Sequence, residues 1–159
     1  MYFWKINDLK QLIVERGLSE AQVFYYVLLF VGFSAAGIEF MAYFPPEDPN
    51  AWTYVQSGLN FVILIVGTVI AYHANRGAEG RNFAAKYFSI SFVVLMRFLV
   101  YLIPVIVALF VYYGLSVDWS SPDVEKEFQT GWFEVVLQLA WYTALYARIV
   151  KHIRDTTKA

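Results

Sequence analysis

The chain of 159 residues has no cysteine. Disulfides, thiolate metal sites, iron–sulfur clusters and cysteine nucleophiles are therefore excluded. Histidine is nearly as scarce, with only His73 and His152. No His-x-x-x-His helix motif, no supported Ser/His/Asp arrangement and no carboxylate pair beside metal ligands can be assembled. Glu39 and Glu134 are acids without histidine neighbours, which is weak ground for a metal. The sequence thus points to no catalytic residue, no metal and no cofactor, and an enzymatic role is not indicated. Charge is sparse as well. Charged residues make up 16% of the chain and the net charge is −1, so there is no basic surplus for nucleic acid. Long loops are also missing, and no stretch between apolar runs could fold as a second domain.

Apolar residues are in excess instead. They make up 59% of the chain and aromatics 19%, against about 45–50% apolar residues in an ordinary soluble domain. A soluble domain of this length has too little interior to bury them. Lipid is the natural solvent.

The run Phe88–Tyr113 is the clearest case. A hydrocarbon core about 30 Å thick takes about 20 apolar residues in a helix, and this run exceeds that. It contains one charge, Arg97, and one proline, Pro104, which predicts a kink. Three further runs have similar reach. The expected fold is all-α, a polytopic membrane bundle of four transmembrane helices over 20–44, 54–74, 88–113 and 132–150. A helical tail over 151–159 completes a single membrane domain covering 1–159. Ser19 and Gln22 form a capping-box pattern before the first span. Ser34-Ala35-Ala36 resembles a signal-peptidase site, but the chain, beginning at Met1, is read as uncleaved.

Residues 1–18 place Ile6, Leu9, Leu12 and Ile13 at helical spacing among Lys5, Lys10, Glu15 and Arg16, with Gly17 as a stop. This reads as a short amphipathic helix lying in the membrane interface, anchored near Trp4. The alternative is a helix packed on a partner subunit. Pro45-Pro46-Glu47-Asp48-Pro49-Asn50 reads as a rigid acidic turn, and Ser116–Gly131 as an acid-rich loop with Asp118, Asp123, Glu125 and Glu127.

Lysine and arginine placement predicts topology. Lys5, Lys10, Arg16, Arg76, Arg81, Lys86, Arg148, Lys151, Arg154 and Lys158 fall on one side, against Lys126 alone on the other. The positive-inside rule puts both termini in the cytoplasm and the protein in the cell inner (plasma) membrane.

Each span carries a small or polar stripe. Gly32, Ala36, Glu39 and Tyr43 share a face of the first; Asn60 and Gly67 of the second; Arg97, Tyr101, Pro104 and Ala108 of the third; Glu134, Gln138, Arg148 and His152 of the fourth. At about 1.5 Å per residue, Arg97 lies about 13 Å in from Phe88 and Glu39 about 8 Å in from Phe44. An Arg97–Glu39 pair is expected, with Asn60 and Gln138 taking the leftover hydrogen bonds. It would fix helix register or relay protons or ions; the alternative is that the two do not meet and Arg97 snorkels to the cytoplasmic headgroups. His73, Arg76, Arg81, Lys86, Arg148, Lys151 and Arg154, with His152, form a basic belt for anionic headgroups or an anionic ligand. Gly77 and Gly80 could present backbone N–H groups to a phosphate, although no phosphate-loop motif follows them. A bis-histidine haem between His73 and His152 is geometrically conceivable.

These features lead to an accessory or scaffold subunit that acts by assembly, with lipids and either copies of itself or another membrane protein as partners. The alternatives are an oligomeric channel or transporter built on the Arg97/Glu39 network, and an intramembrane enzyme acting on lipid.

Overall fold

The computed structural model describes residues 2–43, 49–117, 120 and 129–158. Pro45 to Asp48 of the acidic turn lie outside the described residues, as do Asp118, Asp123, Glu125, Lys126 and Glu127 of the acid-rich loop. Five α-helices are described: α1 (Ile6–Glu15), α2 (Glu20–Ala42), α3 (Ala51–Ala74), α4 (Phe83–Ser116) and α5 (Trp132–Lys158). A single 3-10 turn, Gly77–Glu79, joins α3 to α4. The described residues contain no strand. Three helices, α2, α3 and α4, are long and apolar enough to cross a membrane. Helix α5 has the length, at 27 residues, but Glu134, Arg148, Lys151, Arg154 and Asp155 interrupt its apolar character.

Local chemistry sets the helix ends. Ser19 and Gln22 make both halves of a capping box, Gln22 N–H to Ser19 Oγ at 3.3 Å and Ser19 N–H to Gln22 Oε1 at 3.0 Å. Asn50 caps α3 by accepting from Thr53 N–H at 3.0 Å, and its own amide donates to the Thr130 carbonyl at 2.8 Å. At the start of α5, Glu134 accepts from Gly131 N–H at 2.9 Å and from the Tyr113 hydroxyl. Helix α4 continues unbroken through Pro104 and starts at Phe83, ahead of the apolar run that marks it in the sequence. At 34 residues it is about 51 Å long, well beyond the hydrocarbon core.

Helices α3 and α5 run side by side in the same direction. Asn50 meets Thr130 at their starts, Gly67 lies under the Tyr146 ring midway, and Asn75 accepts from Thr157 at their ends. Helix α4 runs the other way, pairing Tyr113 with Glu134, Phe98 with Trp141 and Tyr87 with Thr68. Helix α2 runs with α4, since their first turns line one cavity and Phe30 and Phe33 meet Phe88 and Phe92.

Burial is uneven along the bundle. The core gathers at one end, where Ile6, Leu9 and Ile13 of α1 close over Ile90, Val93 and Val94 of α4 and Leu145, Ile149 and Ile153 of α5. The apolar face of α1 is therefore covered by protein, a correction to the expectation that it rests on lipid. Five hydrogen bonds tie this segment to three helices. The Tyr26 hydroxyl of α2 accepts from Tyr2 N–H at 2.9 Å and donates to the Tyr2 carbonyl at 3.1 Å. Arg97 of α4 donates to the Trp4 carbonyl, and Lys10 donates to Asp155 of α5 at 3.0 Å. The opposite half is open: residues 31–40 of α2 are exposed throughout.

Candidate functional site

Three places gather polar side chains, the first two adjoining. The first is the α3–α4 turn. Asn75 is fully buried. Its Oδ1 accepts from Lys86 Nζ at 3.0 Å and from Thr157 Oγ1 at 3.3 Å, while its Nδ2 donates to the Arg81 carbonyl at 3.4 Å. One amide thus joins the end of α3, the turn, α4 and α5. Gly80 is pressed onto it: an added Cβ would lie 1.7 Å from the Asn75 carbonyl oxygen. Gly80 N–H is taken by the Gly77 carbonyl at 3.1 Å, and Gly77 turns with φ +56°. These glycines serve a tight turn, and the phosphate-presenting arrangement considered for them has no Gly80 N–H to offer.

The second place is the basic end. Arg76, Arg81, Lys86, Arg148, Lys151 and Arg154 gather there with His73 because α3 and α5 end where α4 begins. Lys86 alone of these is drawn inward, onto Asn75. The two histidines have different neighbours. His73 stands edge-on to Tyr72, whereas His152 lies with its Nδ1 buried, 3.9 Å from Asp155.

His152 also lines a cavity of about 270 Å³ between α4 and α5, with Val94, Arg97, Phe98, Tyr101 and Arg148 around it. Burial, followed by the charge of Lys10, holds the His152 imidazole down to about 4; Arg97 and Lys151 add to this and Asp155 opposes it. Asp155 is itself held below the usual carboxylate range, chiefly by its hydrogen bond from Lys10.

The third place is a cavity of about 220 Å³ among α2, α3, α4 and α5, where Asn60, Tyr87, Ser91, Tyr142 and Tyr146 supply polar groups to a mostly apolar wall. Ser91 Oγ is buried and has no hydrogen-bond partner among the described residues, and the Tyr87 hydroxyl meets Thr68 Oγ1 at 3.0 Å.

The structure does not assemble Glu39, Asn60, Arg97 and Gln138 into one network. Arg97 is taken up by Trp4: Nε donates to the carbonyl at 3.0 Å, Nη2 donates to the same oxygen, and the guanidinium lies 5.5 Å from the indole centroid. Glu39 is exposed on α2, and no ion pair joins it to Arg97 among the described residues. Asn60 lines the third cavity, and Gln138 is half-buried on α5. The reason is the amino-terminal segment, which brings a backbone acceptor to the arginine from 93 positions away; helical periodicity within the spans could not reveal that. Asn75 was missed because an asparagine after a helix reads as an ordinary stop. Its cue was the adjoining Gly77 and Gly80 with Lys86 one turn into α4.

No group of three or more His, Cys, Asp or Glu side chains able to hold a metal occurs among the described residues. No family model, curated protein or solved structure matches the chain. The fold and these sites define an all-helical membrane protein with three apolar helices of spanning length.

Proposed function

We propose that the chain is a four-span protein of the cell membrane that acts by assembly, as an accessory or scaffold subunit, with α2 as its joining helix. Helix α5 counts as the fourth span because it runs alongside α3 from Thr130 to Thr157, so a membrane crossed by one is crossed by both. Lys10 bonded to Asp155 puts the two ends of the chain at the same end of the bundle, together with the basic belt. Under the positive-inside rule that end is cytoplasmic.

The observation that carries assembly is the bare face of α2. Gly32 has nothing within 4 Å of where a Cβ would stand, and Ala36 and Glu39, on the same face, are exposed beside it. Small residues spaced four apart let two membrane helices approach closely. An ionisable side chain facing hydrocarbon without a partner is costly, so Glu39 favours a face covered by another polypeptide. The channel reading loses the Arg97–Glu39 pair on which it rests, since Arg97 is bonded to Trp4.

Native mass spectrometry of particles extracted with their own lipids tests this. The wild-type chain is expected as a complex with itself or with a second membrane protein, and Gly32→Leu as a folded single chain. A wild-type protein found only as a single chain would refute the proposal.

A further inference from the structure

We propose that the cavity between α4 and α5 bounded by Arg97, Tyr101, Arg148 and His152 is a binding site for the phosphate of an anionic ligand. The inference goes beyond assembly and does not depend on it.

The cavity is lined by two arginines and no carboxylate. Its volume of about 270 Å³ leaves ample room for a phosphate group and its ester oxygens. Asp155 stands 3.9 Å from His152, and Lys10 already engages it at 3.0 Å. Arg97 gives Nε–H and one Nη2–H to Trp4 and, with five N–H donors in all, has others to offer. Arg148 is exposed and forms no ion pair among the described residues. Arginine forks suit phosphate oxygens because two parallel N–H groups match two oxygens. Tyr101 contributes a hydroxyl, and Phe98 and Val94 supply an apolar wall.

Position reinforces chemistry. Arg97 lies beside Trp4, and an exposed tryptophan is a residue of the membrane–water boundary. A basic pocket between helices accepts a lipid phosphate. A soluble phosphate ester arriving from the aqueous side offers the same chemistry. His152 provides a second sign. Burial first, and then Lys10 on α1, Arg97 on α4 and Lys151 on α5, oppose its protonation, with Asp155 favouring it. An anion in the cavity would offset those charges and shift the ring toward its protonated, donating form.

The test uses the full chain in phosphatidylcholine nanodiscs with and without phosphatidylglycerol, and separately with glycerol phosphate added to the aqueous phase. Lipid retained on the protein is read by native mass spectrometry, and His152 protonation by NMR of labelled imidazole. Preferential retention of phosphatidylglycerol, with a rise in the His152 pKa, would assign the site to a headgroup. The same rise with glycerol phosphate and no lipid preference would assign it to a soluble phosphate ester. Arg148→Gln, at an exposed position whose side chain makes no hydrogen bond or ion pair among the described residues, is expected to weaken either effect roughly tenfold, the loss of one charge-assisted contact. Arg154→Gln, on the belt but outside the cavity, should change it little. Equal losses in the two variants would show diffuse surface attraction, and equal retention of both lipids with an unmoved His152 would show no site; either result overturns the proposal.

Discussion

Arg97 and Trp4 are 93 positions apart, yet the guanidinium of one holds the backbone carbonyl of the other and lies against its indole ring. The bond joins the amino-terminal segment to the longest helix. It also explains a charge in a run that otherwise reads as pure membrane span: the arginine sits where that segment crosses α4. Arg97→Leu is expected to cost about 2 kcal/mol, since hydrogen bonds to charged groups are the stronger kind. Trp4→Leu keeps the backbone acceptor and should cost only about 0.5–1 kcal/mol, the value of an exposed cation–π contact. Thermal unfolding in detergent gives the order. A larger loss for Trp4→Leu would mean that the ring, rather than the carbonyl, holds the arginine.

The α3–α4 turn should be the least forgiving place in the chain. Gly80→Ala puts a methyl group 1.7 Å from the Asn75 carbonyl oxygen, which only a backbone shift can relieve. Asn75→Leu removes three hydrogen bonds at a fully buried position and leaves Lys86 without its acceptor. Both are expected to exceed the common 0.5–3 kcal/mol range of single substitutions. Gly32→Ala, with nothing within 4 Å, should leave the stability of the single chain unchanged. Melting temperatures of the three variants check this, and a Gly80→Ala protein as stable as wild type would contradict the packing described for the turn.

Acid should weaken the basic end in two stages. His152 has its pKa lowered to about 4 from 6.5, so between those values the unfolded chain binds a proton that the folded chain refuses. Stability accordingly falls as pH drops from 6.5 to 4. Asp155 has its pKa lowered from 3.8; its share is present above that value and is lost as pH falls through the lower folded pKa. Melting temperature followed against pH should decline through the first window in the wild type and lose that decline in His152→Gln. An unchanged slope in the variant would remove His152 as its source.

Topology can be read directly because the chain has no cysteine. Single cysteines at Lys5 and at Arg154 should react with a membrane-impermeant maleimide only from the cytoplasmic side. Labelling of the two from opposite sides would contradict the Lys10–Asp155 contact, which places them together.

Much of this architecture was legible in the residues. Length and composition require lipid, and the capping pair Ser19/Gln22 marks the start of α2 as found. The amphipathic pattern of Ile6, Leu9 and Ile13 marks α1, but periodicity specifies an apolar face and not what covers it, so its burial against α4 and α5 had to come from the fold. The pairing of Arg97 with Glu39 failed for a related reason: a stripe on each helix gives a direction but no neighbour, and a backbone carbonyl leaves no mark in a sequence. The cavity between Arg97 and Arg148 was hidden likewise, because it needs the depth of one arginine matched to that of another on an antiparallel helix.

Assembly through α2 is tested most directly by a single cysteine at Ala36 in native membranes. A thiol-reactive photocrosslinker attached there is expected, on illumination, to trap α2 against a second copy or another membrane protein, giving a species of higher mass. A cysteine at Phe61, exposed on α3, should remain uncrosslinked under the same conditions. A chain that stays single at Ala36 while other membrane proteins in the sample crosslink normally would contradict a role in assembly.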